Sequence, residues 1–208
     1  MLLVRGGRYD EARVVGRRAR DQAIRLGLRV EIGGNLRGLG ELEMAVGRLA
    51  EAEQVLREGV ELYEQMGDPA HGTDLASMLA IVLARQGRLD EARAMLERAR
   101  AWLSPDDVGG DFLAKRAQAD VALAASEIEP ALEHARASLG AVEDTGYLSD
   151  RIEARIALAR VLVAAGRSDE ATRLLVEAVD LARARGDIRW LRVAEEMLEG
   201  LRAEPTGA

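Results

Sequence analysis

A six-residue phrase recurs along this chain at near-constant spacing, and it constrains the fold more than any other feature. Gly7-Arg8-Tyr9-Asp10-Glu11-Ala12 returns in related form at Gly47, Gly87 and Gly166. A worn copy, Ser126-Glu127-Ile128-Glu129-Pro130-Ala131, fills the one gap, so successive copies begin 40, 40, 39 and 40 residues apart. A fixed period in this range belongs to solenoids, whose units cannot bury an apolar face alone and do so against the next unit. The 208 residues are therefore read as one array, 1-208, with phrases at 7-12, 47-52, 87-92, 126-131 and 166-171.

Each period divides into two helices. Tyr9–Leu26 begins with Asp10 and Glu11 and turns basic toward its end, the charge order a helix dipole favours. The pattern then predicts Glu31–Val46 with Leu49–Met66, His71–Gln86 with Leu89–Leu103, Asp111–Ala125 with Glu129–Thr145, and Leu148–Ala165 with Asp169–Arg185. Gly27, Gly67, Asp107, Gly146 and Gly186 mark the second-helix stops at the same period. Pro130, one residue after the column of Asp10, Asp90 and Asp169, suits the first position of a helix behind an N-cap. A last helix, about 188-202, carries Leu191, Ala194, Leu198 and Leu201 on one face and Arg192, Glu195, Glu196 and Glu199 away from it, the pattern of a solvating cap. Residues 204-208 read as a polar tail.

Composition agrees with an all-α chain: hydrophobic residues are 48%, charged ones 31% and aromatic ones 3%, with only 4 prolines. Without cysteine there is neither a disulfide framework nor a thiolate metal site, which points to a reducing, cytoplasmic setting. No apolar run reaches the roughly 18 residues of a membrane span. A net charge of -7 opposes general attraction to nucleic-acid phosphate.

Three columns of small residues show where backbones must approach. Gly40, Ala80, Ala119 and Ala159 form the first; Ala12, Ala52, Ala92, Ala131 and Ala171 the second; Ala19, Gly59, Ala99, Ser138 and Ala178 the third. Leu36, Leu56, Leu79, Leu96, Leu158 and Leu175 are expected to fill the space between these contacts.

A Leu followed by a small residue eight positions before each phrase (Leu39-Gly40, Leu79-Ala80, Leu158-Ala159, and Gln118-Ala119 in the worn copy), then Gly, Tyr or Leu, and Ala, resembles the tetratricopeptide repeat. Leu39, Gly40, Gly47, Leu49, Ala52 and Gly59 meet that family's spacing. The common unit has 34 residues, and the extra residues here lie in the second helix and its turn. Such long units resemble the helical sensor regions of MalT-like and LuxR-type regulators and of large signalling ATPases. The resemblance implies a right-handed superhelical solenoid of antiparallel helix pairs serving as a protein interaction, scaffold or sensor module. An alternative from the same resemblance is a regulatory segment that binds a small-molecule inducer.

Catalytic constellations are not legible. His71 and His134 lie in different repeats with no second ligand at helical spacing, so no metal site or triad is assigned. Gly33 to Gly40 is glycine-rich like a phosphate loop, but follows no strand and runs into the Leu39-Gly40 packing site. No enzyme activity and no cofactor are expected.

A stack of helix pairs curves, and its first helices line the concave side. Counting two positions either side of the Leu places Arg37 and Glu41, Ser77 and Ile81, Arg116 and Asp120, and Ile156 and Arg160 on that face, with Asp74 and Glu153 one turn nearer the helix starts. Their mixed signs favour a protein or peptide partner with polar anchors over a uniformly charged polymer. A clamp for peptide carboxylates built from repeated Lys and Asn is not supported, because Lys115 is the single lysine and the equivalent positions are Gly38, Met78, Ala117 and Ala157. Met1 to Gly6 offers only the end of a first helix, so the N-terminal edge is expected to expose apolar surface that an upstream segment or a second copy of the chain would cover.

Overall fold

A computed structural model describes residues 2-104 and 106-203. Its helices are α1 (Leu2–Arg5), α2 (Tyr9–Leu26), α3 (Arg29–Ala45), α4 (Leu49–Met66), α5 (Thr73–Arg85), α6 (Leu89–Trp102), α7 (Val108–Ala124), α8 (Ile128–Val142), α9 (Leu148–Ala164), α10 (Ser168–Arg185) and α11 (Ile188–Ala203), with a 3-10 turn at Pro69–Gly72 before α5. No strand occurs among the described residues. The protein is an all-α solenoid of helix pairs: α3 packs on α4, α5 on α6, α7 on α8 and α9 on α10, while α3, α5, α7, α9 and α11 lie side by side as an inner row.

The repeated phrase works through its backbone. Gly7, Gly47, Gly87 and Gly166 all sit in the left-handed region, with φ between 72 and 78°. The following residue's N–H reaches back five positions, as in Arg88 N–H to the Leu83 carbonyl at 3.0 Å, which closes the helix end and reverses the chain. The worn copy makes the same bond, Glu127 N–H to the Ala122 carbonyl at 2.9 Å, with Ser126 forced to a φ of 61°.

The small columns are contact points. A Cβ added at Gly40 would stand 2.5 Å from Leu56 Cδ2, and one at Gly59 would stand 2.6 Å from Leu75 Cδ2. Ala52, Ala92, Ala131 and Ala171 are fully buried. The intervening Leu56 and Leu175 are buried completely as well, each such side chain contributing about 1.5–3 kcal/mol of transfer free energy. Two apolar clusters result, one centred on α5 and one on α9.

Several boundaries differ from the sequence reading, for local reasons. The helix preceding Asp107 ends at Trp102, where Leu103 turns to extended backbone. Asp107 is instead the N-cap of α7, its carboxylate accepting from Gly110 N–H at 2.9 Å. Gly110 is required there, since a Cβ would stand 2.4 Å from Asp107 Oδ2. Likewise α8 ends at Val142, before Gly146, where Thr145 N–H bonds to the Val142 carbonyl. Pro130 is the third residue of α8 and not the first, still within the turn whose N–H groups lack helical partners. Asp10, Asp90 and Asp169 stand inside the first turn; the caps are Arg8, Arg88 and Arg167, which make no side-chain cap bond and pair with Glu11, Glu91 and Glu170. Residues 204-208 of the expected tail lie outside the described residues.

The array bends until its ends meet. Helix α1 packs against α11, and Ile188 lies 3.8 Å from where a Cβ on Gly7 would be. Val4 is buried in a small cluster with Leu39 and Leu42. The outer side of α2 and the start of α3 nevertheless leave Val14, Val15, Ile24, Leu26, Leu28 and Val30 exposed. Between α2 and α3, Arg13 donates twice to Glu43, at 2.7 and 3.0 Å, and Glu43 is buried. Ion pairs between successive second helices, such as Arg57–Glu91 and Arg93–Glu127 at 3.0 Å each, decorate the convex side and contribute little individually.

Candidate functional site

The inner row of helices lines a cavity of about 660 Å³ that is partly open to solvent. Arg37, Glu41 and Met44 reach it from α3, Asp74, Met78 and Arg85 from α5, and Phe112, Leu113 and Arg116 from α7. Asp150, Glu153 and Arg160 come from α9, and Arg189, Trp190, Val193 and Met197 from α11, with Arg185 at the end of α10. The helical period explains the set. On α9, Asp150, Glu153 and Arg160 fall on one stripe, as do Asp74, Met78 and Arg85 on α5.

Of the residues assigned to the concave face from sequence, Arg37, Glu41, Asp74, Arg116, Glu153 and Arg160 line this cavity. Asp120 stands behind the wall, accepting from Arg160 Nη1 at 3.2 Å with Arg85 and Arg116 each 3.7 Å away. Ser77, Ile81 and Ile156 are corrections. All three are fully buried: α5 is enclosed by α3, α4, α6 and α7 and is apolar almost all round, and Ile156 belongs to the apolar cluster centred on α9.

Charge separates toward two parts of the cavity. In one, Arg85, Arg116 and Arg160 surround Asp120, Arg189 adds its charge near Arg116, and Arg116 also pairs with Glu153. Burial pushes the Arg116 guanidinium down to about 9; Asp120 opposes this shift, and Arg85, Arg160 and Arg189 add to it. Burial alone would raise the Asp120 carboxyl, but Arg160, Arg85 and Arg116 outweigh it and hold the group below the usual carboxylate range. Arg116 Nε, Arg189 Nε, Asp120 Oδ2 and Trp190 Nε1 are buried without a hydrogen-bond partner.

In the other part, Arg37 is the cation among three carboxylates. Its Nη1 donates to Glu41 at 2.8 Å and its Nε lies 3.6 Å from Asp74. Burial raises both Asp74 and Asp150; Arg37 opposes the shift in each, and Glu41 adds to it. Among the described residues no group of three acidic or histidine side chains is arranged to hold a metal ion. Between the charged regions the walls are apolar, formed by Met44, Met78, Phe112, Trp190 and Met197.

A family model described as the MalT-like TPR region matches residues 5–198. The chain belongs to this MalT-like TPR family. Membership makes it a helical-repeat sensor or scaffold module. The crystal structure of BtubC (BKLC) from P. vanneervenii is similar, with a TM-score of 0.59 over 88% of this chain and 77% of that one, at 16% identity. A likeness at that identity concerns the fold. No curated protein matches the sequence significantly.

Within this MalT-like TPR chain, sequence reasoning missed Arg85, Asp150, Phe112, Arg185, Arg189 and Trp190. Asp150 and Arg85 lay at the ends of stripes that were followed only near the Leu-small pair. Arg189 and Trp190 were missed because α11 was read purely as a cap, whereas it forms the fifth inner wall. Their signal was in place: extending the inner row by one more period reaches α11. The glycine-rich Gly33 to Gly40 stretch is helical within α3. A Cβ at Gly33 would stand 2.5 Å or less from three atoms of the Tyr63 side chain, so that glycine serves packing. His71 pairs with Asp68 and stacks on Tyr63, on a different helix from His134.

Proposed function

We propose that this chain is the ligand-sensing module of a bacterial signalling or transcriptional regulator, taking a small molecule into the cavity lined by α3, α5, α7, α9 and α11. The observation that carries this is the convergence of buried, unpartnered polar groups on an apolar-walled space of about 660 Å³. Small-molecule sites typically occupy about 300–1,000 Å³ and combine apolar walls with a few convergent polar groups. The module binds and reports; no reaction is assigned to it.

The test uses Trp190, the cavity's tryptophan, with Trp102→Phe removing the other emitter. A ligand entering the cavity should shift Trp190 emission and raise the melting temperature, the stabilisation reaching about 2.7 kcal/mol at a hundredfold excess over Kd. Met78→Trp, which fills the cavity, should abolish both effects. A metabolite and short-peptide library that moves neither signal, or ligands that act equally on Met78→Trp, would overturn the reading.

A protein partner is the second reading, and the exposed Val14, Val15, Ile24, Leu26, Leu28 and Val30 favour it. Solution mass measured for the wild type and for Val15→Glu with Leu26→Glu tests whether a second copy covers that edge.

A further inference from the structure

We propose that the ligand of this cavity is a dipolar small molecule, with an anionic group seated among Arg85, Arg116, Arg160 and Arg189, a cationic group among Glu41, Asp74 and Asp150, and an apolar body between them. The inference rests on the reading of the cavity as a ligand site and names the chemistry of its occupant.

The anionic end follows from an imbalance of charge and of hydrogen bonds. Four guanidinium groups gather where the wall provides Asp120, with Glu153 reaching Arg116 from the side. Arg116 and Arg189 are more than nine-tenths buried, and each keeps its Nε without a partner. Asp120 and Glu153 stand beside Arg116, but a buried guanidinium N–H left without an acceptor is costly, and mutual repulsion among the arginines adds to the cost. A carboxylate or phosphate supplies both the missing charge and acceptors that fit the planar guanidinium fork. Arg189 is already held in place, its guanidinium 4.4 Å from the centre of the Trp190 ring.

The cationic end is the converse case. Glu41, Asp74 and Asp150 gather around Arg37, with Arg116 acting more weakly on Asp150, so the carboxylates are in excess, and burial lifts Asp74 and Asp150 above their ordinary range. These acids do not assemble as metal ligands. An ammonium group is a compact donor of three hydrogen bonds and matches such a spread of acceptors.

Helix geometry sets the separation. Asp150 and Arg160 both face the cavity from α9, and ten residues of helix span about 15 Å. Asp74 and Arg85 repeat that arrangement on α5. Side chains reaching inward shorten the gap, and an extended chain of three or four residues spans about 10–14 Å. Met44, Met78, Phe112 and Met197 line the interval, surfaces that adapt to apolar bodies of varied shape.

Apolar tetrapeptides built from Phe, Leu and Met are therefore suitable probes, used with both termini free, N-acetylated, C-amidated or doubly blocked. Calorimetry on the full chain should show the free form binding, with at least a tenfold loss on blocking either end. Arg160→Gln should remove the penalty for amidation alone, and Asp150→Asn the penalty for acetylation alone, with unchanged circular dichroism. Equal binding of free and doubly blocked forms, abolished by Met78→Trp, would overturn the dipolar ligand and leave the cavity reading standing. Failure of all four forms, while a neutral library compound binds in a Met78-dependent way, would do the same. If nothing in either set binds, both readings fall.

Discussion

Gly40 offers the sharpest test of the packing that shapes the cavity wall. Its hydrogen faces Leu56, and a Cβ there would lie 2.5 Å from Cδ2 and 2.9 Å from Cγ. Ordinary contact between carbons lies near 3.5–4.0 Å, so Leu56 must retreat by about 1 Å. It has nowhere to go, being fully buried. Overpacking of this kind costs about 1–3 kcal/mol, whereas replacing a mid-helix glycine by alanine returns about 0.8–1 kcal/mol of helix propensity. The clash wins, and Gly40→Ala should destabilise by about 0.5–2 kcal/mol. Leu56→Ala alone should cost about 2–5 kcal/mol through the cavity it leaves. In that background the new methyl finds space, so Gly40→Ala should become stabilising by about 1 kcal/mol. The reversal of sign is the prediction. Urea denaturation of the four proteins, followed by far-ultraviolet circular dichroism and compared at equal m-value, measures it. If Gly40→Ala raises stability in both backgrounds, α3 and α4 do not approach as described.

Ser126→Gly should stabilise by about 0.5–1 kcal/mol, because a left-handed residue with a side chain costs about 1–2 kcal/mol and glycine's extra unfolded-state freedom returns part of it. Equal denaturation midpoints would refute the strain at that turn. Arg13→Met should cost about 2–3 kcal/mol by leaving Glu43 buried and unpaired, and adding Glu43→Leu should recover most of it. The equivalent positions, Leu83, Ala122 and Leu162, are apolar, and calorimetric melting of single and double variants decides the matter. Asp74→Asn with Asp150→Asn should raise stability at neutral pH by up to about 1 kcal/mol, allowing for partial exposure. Both folded carboxyls titrate above their unfolded value, so their contribution is fully present only below it and is lost as pH rises through the folded pKa. The variant's advantage should grow as pH rises from about 3 to 6 among Arg37, Glu41, Asp107 and Arg116; a flat or opposite trend in melting temperature would refute it.

The repeated phrase made most of the architecture legible, since a left-handed glycine followed by an alanine contact dictates both a reversal and a close crossing. Tyr9–Leu26 and Leu49–Met66 emerge with the ends that Gly27 and Gly67 imply. Asp107 and Gly146 misled because the period alone assigned them as stops, whereas the extended Leu103 and the Asp107 carboxylate act locally. The worn repeat carries a contact that its poor match to the phrase conceals: Ser138 donates to the Phe112 carbonyl across the α7–α8 pair. Ser77 and Ile81 show the limit of register. A position two residues from the Leu faces inward in a gently curved stack, but in α5 the same position is covered by neighbouring helices. Curvature is set by every unit at once, and no single stretch of sequence expresses it.

The meeting of α1 with α11 turns the spiral into something like a split ring. In an open stack, a small change of pitch at one junction simply leaves the far end elsewhere. Here the changes at every junction are summed at one seam, where Gly7 lies over Ile188, two residues from Trp190 on the cavity wall. A change of pitch inside the ring would be read most directly as a change of distance across that seam.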